Sequence, residues 1–292
     1  MTKTDGNDNP AFIFDRRTLR RNRDRAAKNF TAHDFLVREV ADRLYDKYCD
    51  IKRDFTHILD LGCHDGALSK LLSDKTVINQ DLSRDFLTTG LCIQADEELL
   101  PYQSGSLDLV LSNLSLHWVN DLPGCLTQIM QALKPDGLFL CAVLGGETLT
   151  ELRTSLLEAE INIRGGASPR ISPFVDIKNA GSLLQRAGFA LPVIDTDRIT
   201  VTYENVFKLM QELKGMGEAN ILTKRFRGLT SPRIMRECAK IYHEKFTDHR
   251  GRITVSFDII YMMGWSPHKS QQQPLKPGQG KVSFTDVFGE KP

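Results

Sequence analysis

"ILDLGCHDGALS", residues 58–69, decides the fold. An apolar run ends in Asp60, a tight turn carries Gly62 and Gly66, and a segment opening on Ala67 and Leu68 follows. That pattern is a buried strand, a turn and the start of a helix, the setting in which nucleotide-type cofactors are held. Glycine there allows a positive φ and a close approach of backbone to ligand. His64 stands at the middle position, where a third glycine would be expected. Asp81, at the end of the next apolar run, lies 19 residues after Gly62. This spacing suits a carboxylate gripping ribose hydroxyls.

The turn alone leaves two cofactor classes open. A dinucleotide site wants glycine at 62 and 64 and a small residue at 67; Ala67 fits and His64 does not. An S-adenosylmethionine site wants an acid two residues before the first glycine, as Asp60 stands, and glycines at 62, 64 and 66. A turn that only joins strand to helix is a third reading, and the arrival of Asp81 at the right distance argues against it.

Outward from the turn, strands and helices alternate. "TVINQD" reads as a strand leading to a helix at "SRDFLTT"; "LCIQAD" is a short strand. "LDLVLSNL" is a strand followed by the helix "LPGCLTQIMQAL", and the turn "KPDG" precedes the strand "LFLCAVL". Such alternation argues for a doubly wound, mostly parallel sheet. Two helices precede it within 11–54, a basic one from Arg16 to Phe30 and "HDFLVREVADRLYDKYC". The sheet domain runs over 55–265, with strands at "PVIDTDRITVTY" and "ITVSFDIIYMMGW" and a helical insertion at about 204–250 between them. Residues 1–10 are expected to be a disordered tail and 266–292 a loose one.

Net charge is +1 over 292 residues, so no global field draws the chain to nucleic acid. The stretch Asp15–Lys28 is locally basic, and no stacking aromatics interleave its arginines. It reads first as a solvated helix face over the cofactor cleft, then as a docking surface for an acidic partner or for the membrane periphery. Six scattered cysteines without a CxxC pair read as buried thiols in a reducing compartment, and no metal-ligand spacing is present. No apolar run is long enough to span a bilayer, and the N-terminus is not a secretory signal. A cytoplasmic protein follows, bacterial or the equivalent.

Later segments break the cofactor tie. "QADEELLPYQSGSLDLVLSNLSLHW" and "ALKPDGLFL" complete a chain that resembles the class I S-adenosylmethionine-dependent methyltransferases across 55–265. The resemblance implies a seven-stranded Rossmann-like sheet and S-adenosylmethionine as cofactor. By it, Asp60, Gly62 and Gly66 hold the methionine part, Asp81 the ribose and Asp96 the adenine amino group. His64, Leu82, Glu97 and Asn113 complete the expected lining. "FDRRTLRRNRDRAA", "SNLSLHWVNDLP", "GGETLTELR", "SPRISPF", "ELKGMGEAN" and "YMMGW", in this order, are similar to the complex I assembly factor 5 family. That family is related to the biotin-pathway malonyl-carrier methyltransferase. The resemblance implies modification of an arginine on an iron–sulfur subunit, described as hydroxylation. His64, where the family has glycine, is the departure.

Methyl transfer from a sulfonium needs positioning more than acid–base machinery. Hydroxylation needs oxygen chemistry, and no HxD or HxE pattern supplies ligands for it. His117 is the catalytic candidate, beyond the fourth strand, with a structural His–Trp pair as the plainer reading. Trp118 reads as a pocket wall. Glu147 and Glu151 could grip an arginine substrate or merely sit at a helix start. "GMGEAN" at 215–220 could line the substrate mouth or close the insertion. Two alternatives stand beside the protein-modifying enzyme: a methyltransferase for a small or carrier-bound carboxylic acid, and a non-enzymatic assembly chaperone of the same fold.

Overall fold

Side chains alternate along a strand, so each buried strand here feeds two cores. The computed structural model describes residues 12–174 and 176–272. Among them seven strands form one sheet: β1 Ile58–Leu61, β2 Val77–Asp81, β3 Leu91–Gln94, β4 Leu107–Asn113, β5 Leu133–Leu144, β6 Ala190–Tyr203 and β7 Ile253–Trp265. Their order is β3-β2-β1-β4-β5-β7-β6. β7 runs antiparallel to β5 and β6, and the pairs from β3 through β5 are parallel. The order turns back on itself between β1 and β4, and open α/β sheets bind ligands outside the carboxyl ends at such a point.

Among the described residues eight helices flank the sheet: α1 Arg16–Ala27, α2 Phe35–Cys49, α3 Ala67–Leu71, α4 Leu122–Ala132, α5 Thr150–Arg164, α6 Ile177–Arg186, α7 Val206–Gly215 and α8 Pro232–Lys245. Leu109, Leu140 and Phe257 meet Val40, Leu68, Leu152 and Tyr242 on one face of the sheet. Val110, Phe139 and Met262 meet Leu126 and Leu184 on the other. Local signals set the helix starts. Asp15 caps α1 through the Thr18 amide, and Asp121 caps α4, which carries Pro123 in its first turn.

Four expectations differ from what is observed. The helix expected after β2 is one 3-10 turn, Arg84–Phe86; Thr88 and Thr89 are poor helix formers, and Gly90 at φ +80° turns the chain into β3. The "KPDG" turn is absorbed into β5, with Asp136 at φ +66° and a register shift against β4 between Leu107 and Leu109. Cys49 and Cys92 are exposed, while the other four thiols are buried. Within the segment expected to be loose, Ser266 donates its amide to Gly137 and the Gln271 side chain bonds Asp136 and Ser266. The tails expected at 1–10 and over 273–292 lie outside the described residues.

Candidate active site

The turn after β1 is wound through three left-handed residues, Gly62 at φ +69°, His64 at +50° and Gly66 at +76°. His64 bears the cost of a side chain in that region, about 1–2 kcal/mol. Its surroundings offset it. The imidazole is buried, stacks on Phe30 at 5.8 Å and meets the edge of Phe86 at 5.6 Å. The His64 amide donates to Asp81 Oδ2 at 3.1 Å, and Nε2 lies 3.3 Å from the Leu114 carbonyl. Burial, with Arg23 nearby, pushes the imidazole pKa down. A neutral ring with the proton on Nε2 can donate to Leu114. Leu114 at φ +47° and Leu149 at +57° are also left-handed. They follow β4 and β5, so three of the five left-handed non-glycine residues among the described ones, His64, Leu114 and Leu149, lie along the carboxyl rim of the sheet.

Asp60, at the end of β1, is 1% exposed, and neither of its oxygens has a hydrogen-bond partner. The Ser69 amide helps its charged form from nearby, but burial dominates and pushes its pKa to about 7. The acids further along the rim are fully engaged. Asp81 accepts from the Ser83 amide at 2.7 Å, from His64, and from Arg23 Nη1 at 3.3 and 3.4 Å. Glu97 Oε1 takes Arg23 Nη1 at 2.9 Å and the Ser115 hydroxyl at 2.7 Å. Arg16 bonds Glu97 Oε2, and it reaches Asp96 at 2.5 Å. Burial opposes the Glu97 charge, yet Arg16 and Arg23 hold its carboxyl well below the usual range. For Arg23 burial pulls the pKa down, and Asp81 and Glu97 carry it above its ordinary value.

A second region opens beyond the ends of β4 and β5. A cavity of about 320 Å³ is walled by Trp118, Leu149, Phe174, Met210 and Met216, with Glu218 at one side. Glu218 accepts from Trp118 Nε1 at 3.0 and 2.9 Å and lies 3.2 Å from His117 Nε2. Burial works against its charge, but His117 and Trp118 keep its carboxyl below the ordinary carboxylate range. Trp118 meets Phe14 edge-on at 5.4 Å and Phe174 at 6.2 Å.

The chain has relatives among known proteins. The zebrafish protein named arginine-hydroxylase NDUFAF5, mitochondrial, is 41% identical over 94% of this chain and 89% of its own length. The human protein of that name is 42% identical over 94% and 83%. The chain belongs to the NDUFAF5 family. A methyltransferase domain family matches residues 59–141. A malonyl-[acyl-carrier protein] O-methyltransferase of Methylovorus is 31% identical over 94% of this chain and 96% of its own. In fold, the chain matches a Bacillus halodurans protein assigned as a methyltransferase, at a TM-score of 0.54 and 15% identity over 77% of this chain and 99% of that one. The chain is an enzyme of the methyltransferase fold, with the doubly wound seven-stranded sheet that the motifs implied.

In this member of the family, the residues singled out from sequence fall into three groups. Asp60, Gly62, His64, Gly66, Asp81, Asp96 and Glu97 converge at the tips of β1 and β2 and the segment after β3. Leu82 packs beside them against Phe14, Leu19 and Trp118. Asn113 Nδ2 donates to the Val37 carbonyl at 2.8 Å and so ties β4 to α2. Trp118 lies in the cavity wall with His117 behind it on Glu218, and Met216, Ala219 and Asn220 of the "GMGEAN" loop line the cavity too. Glu147 and Glu151 go elsewhere. Glu151 accepts from the Ser256 hydroxyl at 2.7 Å and braces α5 on β7. Glu147 is exposed at the foot of α5, beside Thr150. Sequence reasoning missed Arg16, Arg23, Ser115 and Phe174, and it reached Glu218 only as part of the "GMGEAN" loop.

An adenosyl ligand was tested against this geometry. The left-handed turn and the unpartnered Asp60 suit a bound nucleotide-like group. Asp81, Asp96, Glu97 and Ser115 do not: their acceptors face Arg16 and Arg23 of α1. A Cβ on Gly62 would lie 2.0 Å from Ser115 Oγ, so protein side chains fill the space over the glycine. In this conformation the seat does not fit the cofactor.

Proposed function

We propose that this chain is an S-adenosylmethionine-dependent enzyme that modifies an arginine side chain of a protein partner, an iron–sulfur subunit, during assembly of respiratory complex I. The observation that carries the reading is Glu218, a carboxylate held charged at the wall of a largely apolar cavity that Trp118 and Phe174 also line. A guanidinium is planar, always charged and stacks on aromatic faces, so it suits such a slot. His117 and the Trp118 indole fix the direction of the Glu218 carboxylate, and the apolar walls exclude water from the ion pair. The names of the vertebrate relatives, which specify an arginine-hydroxylase, support the substrate class.

A carrier-bound carboxylic acid is the other reading, supported by the Methylovorus relative. Glu218 speaks against it at the Trp118 end, where a second carboxylate would be repelled; of the cations in the lining, Arg170 is paired with Glu160 and Lys214 is exposed. On the outer side of α1 a cleft of about 1180 Å³ is lined by Arg17, Arg20, Arg21, Arg225 and Arg227, with Asp15, Asp24 and Glu98 among them, a net basic field suited to docking an acidic partner. No helix among the described residues is long and apolar enough to cross a membrane. Six free thiols suit a reducing compartment such as the bacterial cytoplasm.

The test is the mass of the arginine-containing peptides of the iron–sulfur subunit, purified from cells with and without this gene. A gain of one oxygen or one methylene on an arginine, present only with the gene, is expected. Identical arginine peptides from both sources would overturn the substrate assignment.

A further inference from the structure

Arg23 is 1% exposed, although it belongs to a stretch so basic that water would be its ordinary surroundings. Its Nη1 reaches both oxygens of Asp81 and one of Glu97, and its Nη2 donates to Ser115 Oγ at 2.8 Å. A carboxylate offers about four acceptor positions. Those of Asp81 are largely taken: the Ser83 amide on Oδ1, the His64 amide on Oδ2, and one Arg23 N–H shared between the two oxygens. Asp81 has no exposed surface, so Arg23 stands between it and ribose hydroxyls. Asp96 and the outer oxygen of Glu97 are likewise held by Arg16.

We propose that Asp81, Glu97 and Ser115 form a guanidinium site, that Arg23 of the chain's own first helix fills it, and that α1 thereby competes with an adenosyl ligand for the seat. The proposal rests on the adenosyl reading given above. Arg16 and Arg23 are a heptad apart on one face of α1, so a single displacement of the helix withdraws both. Arg23 Nε is buried without a partner, so the plug is imperfectly satisfied and weaker than a fully paired one. Arg17, Arg20 and Arg21 point away into the basic cleft, where a docked acidic partner would pull on the same helix. Cofactor-bound and cofactor-free states then differ in the position of α1, and partner docking and cofactor entry are linked through it.

The experiment is calorimetric titration of the full chain with S-adenosylhomocysteine. Arg23→Met is compared with the wild type and with Arg25→Met, which alters an exposed position of the same helix outside the basic cleft. Arg23→Met is expected to bind about tenfold tighter than the wild type or better, as removal of a competing occupant requires; Arg25→Met is expected to match the wild type. Hydrogen exchange over 16–27 in the wild type gives a second reading, and saturating ligand is expected to speed it. This second reading decides alone if Arg23→Met does not fold. Equal or weaker binding by folded Arg23→Met, or slower exchange in α1 with ligand, would overturn the competition while leaving the adenosyl reading intact. No binding by either protein at millimolar ligand would overturn both.

Discussion

The seat at the tips of β1 and β2 and the cavity beyond β4 and β5 lie side by side and solve opposite problems. The seat gathers Asp60, Asp81, Asp96 and Glu97, and the chain answers with two of its own arginines. The cavity is apolar with one oriented carboxylate, and its space is left open. Buried charge is costly unless paired. A site that must hold several acids without its ligand therefore needs an internal counter-ion, whereas a slot with one acid can borrow a Trp and a His. Glu218 joins the two regions, since its charge is felt by Arg23 and by His64 as well as by His117.

Asp60 is the acid that the arginines leave alone, and removing its charge should have the largest effect. Its folded pKa, about 7, lies above its unfolded value near 3.8. Between those values the folded state binds more protons than the unfolded one, so stability falls as pH rises through the window. Asp60→Asn should be more stable than the wild type at pH 8, by at most about 4 kcal/mol for a shift of this size. The gain should shrink toward zero near pH 4. Urea unfolding across pH checks this; a flat difference would mean that burial does not raise the Asp60 pKa.

His64 comes next. Glycine at this position would relieve about 1–2 kcal/mol of left-handed strain. It would also remove an aromatic ring buried against Phe30 and Phe86, at a cost of about 3 kcal/mol judged from large-to-small core changes. His64→Gly should thus lose about 1–2 kcal/mol in thermal or urea unfolding. A variant more stable than the wild type would show that the ring packs for nothing.

The two regions were not equally legible in the sequence. Asp60, Gly62, Gly66 and Asp81 could be placed because a parallel strand, its turn and the next strand are local, and their periodicity and spacing are printed in order. Arg23 meets partners 58 to 92 positions away, and nothing local announces such a contact. A signal did exist: Arg16 and Arg23 share a helical stripe with the buried Leu19 and Ala26. Reading the basic stretch as one solvated face passed over that phase. Of the two readings open for Glu151, the structure has the helix start: an acid there looks available until β7 supplies Ser256. Glu218 sits in an irregular loop, where no period marks which side chains turn inward.

Paired titrations of Glu218→Gln test the division between the two regions most directly. One ligand is an arginine peptide from the partner subunit and the other is S-adenosylhomocysteine. A charge-assisted guanidinium contact is worth about 1.5–3 kcal/mol, so the peptide should bind at least about tenfold more weakly to the variant, with adenosyl affinity nearly unchanged. Unchanged peptide affinity, or a loss confined to the adenosyl ligand, would contradict the assignment of the cavity to the arginine side chain.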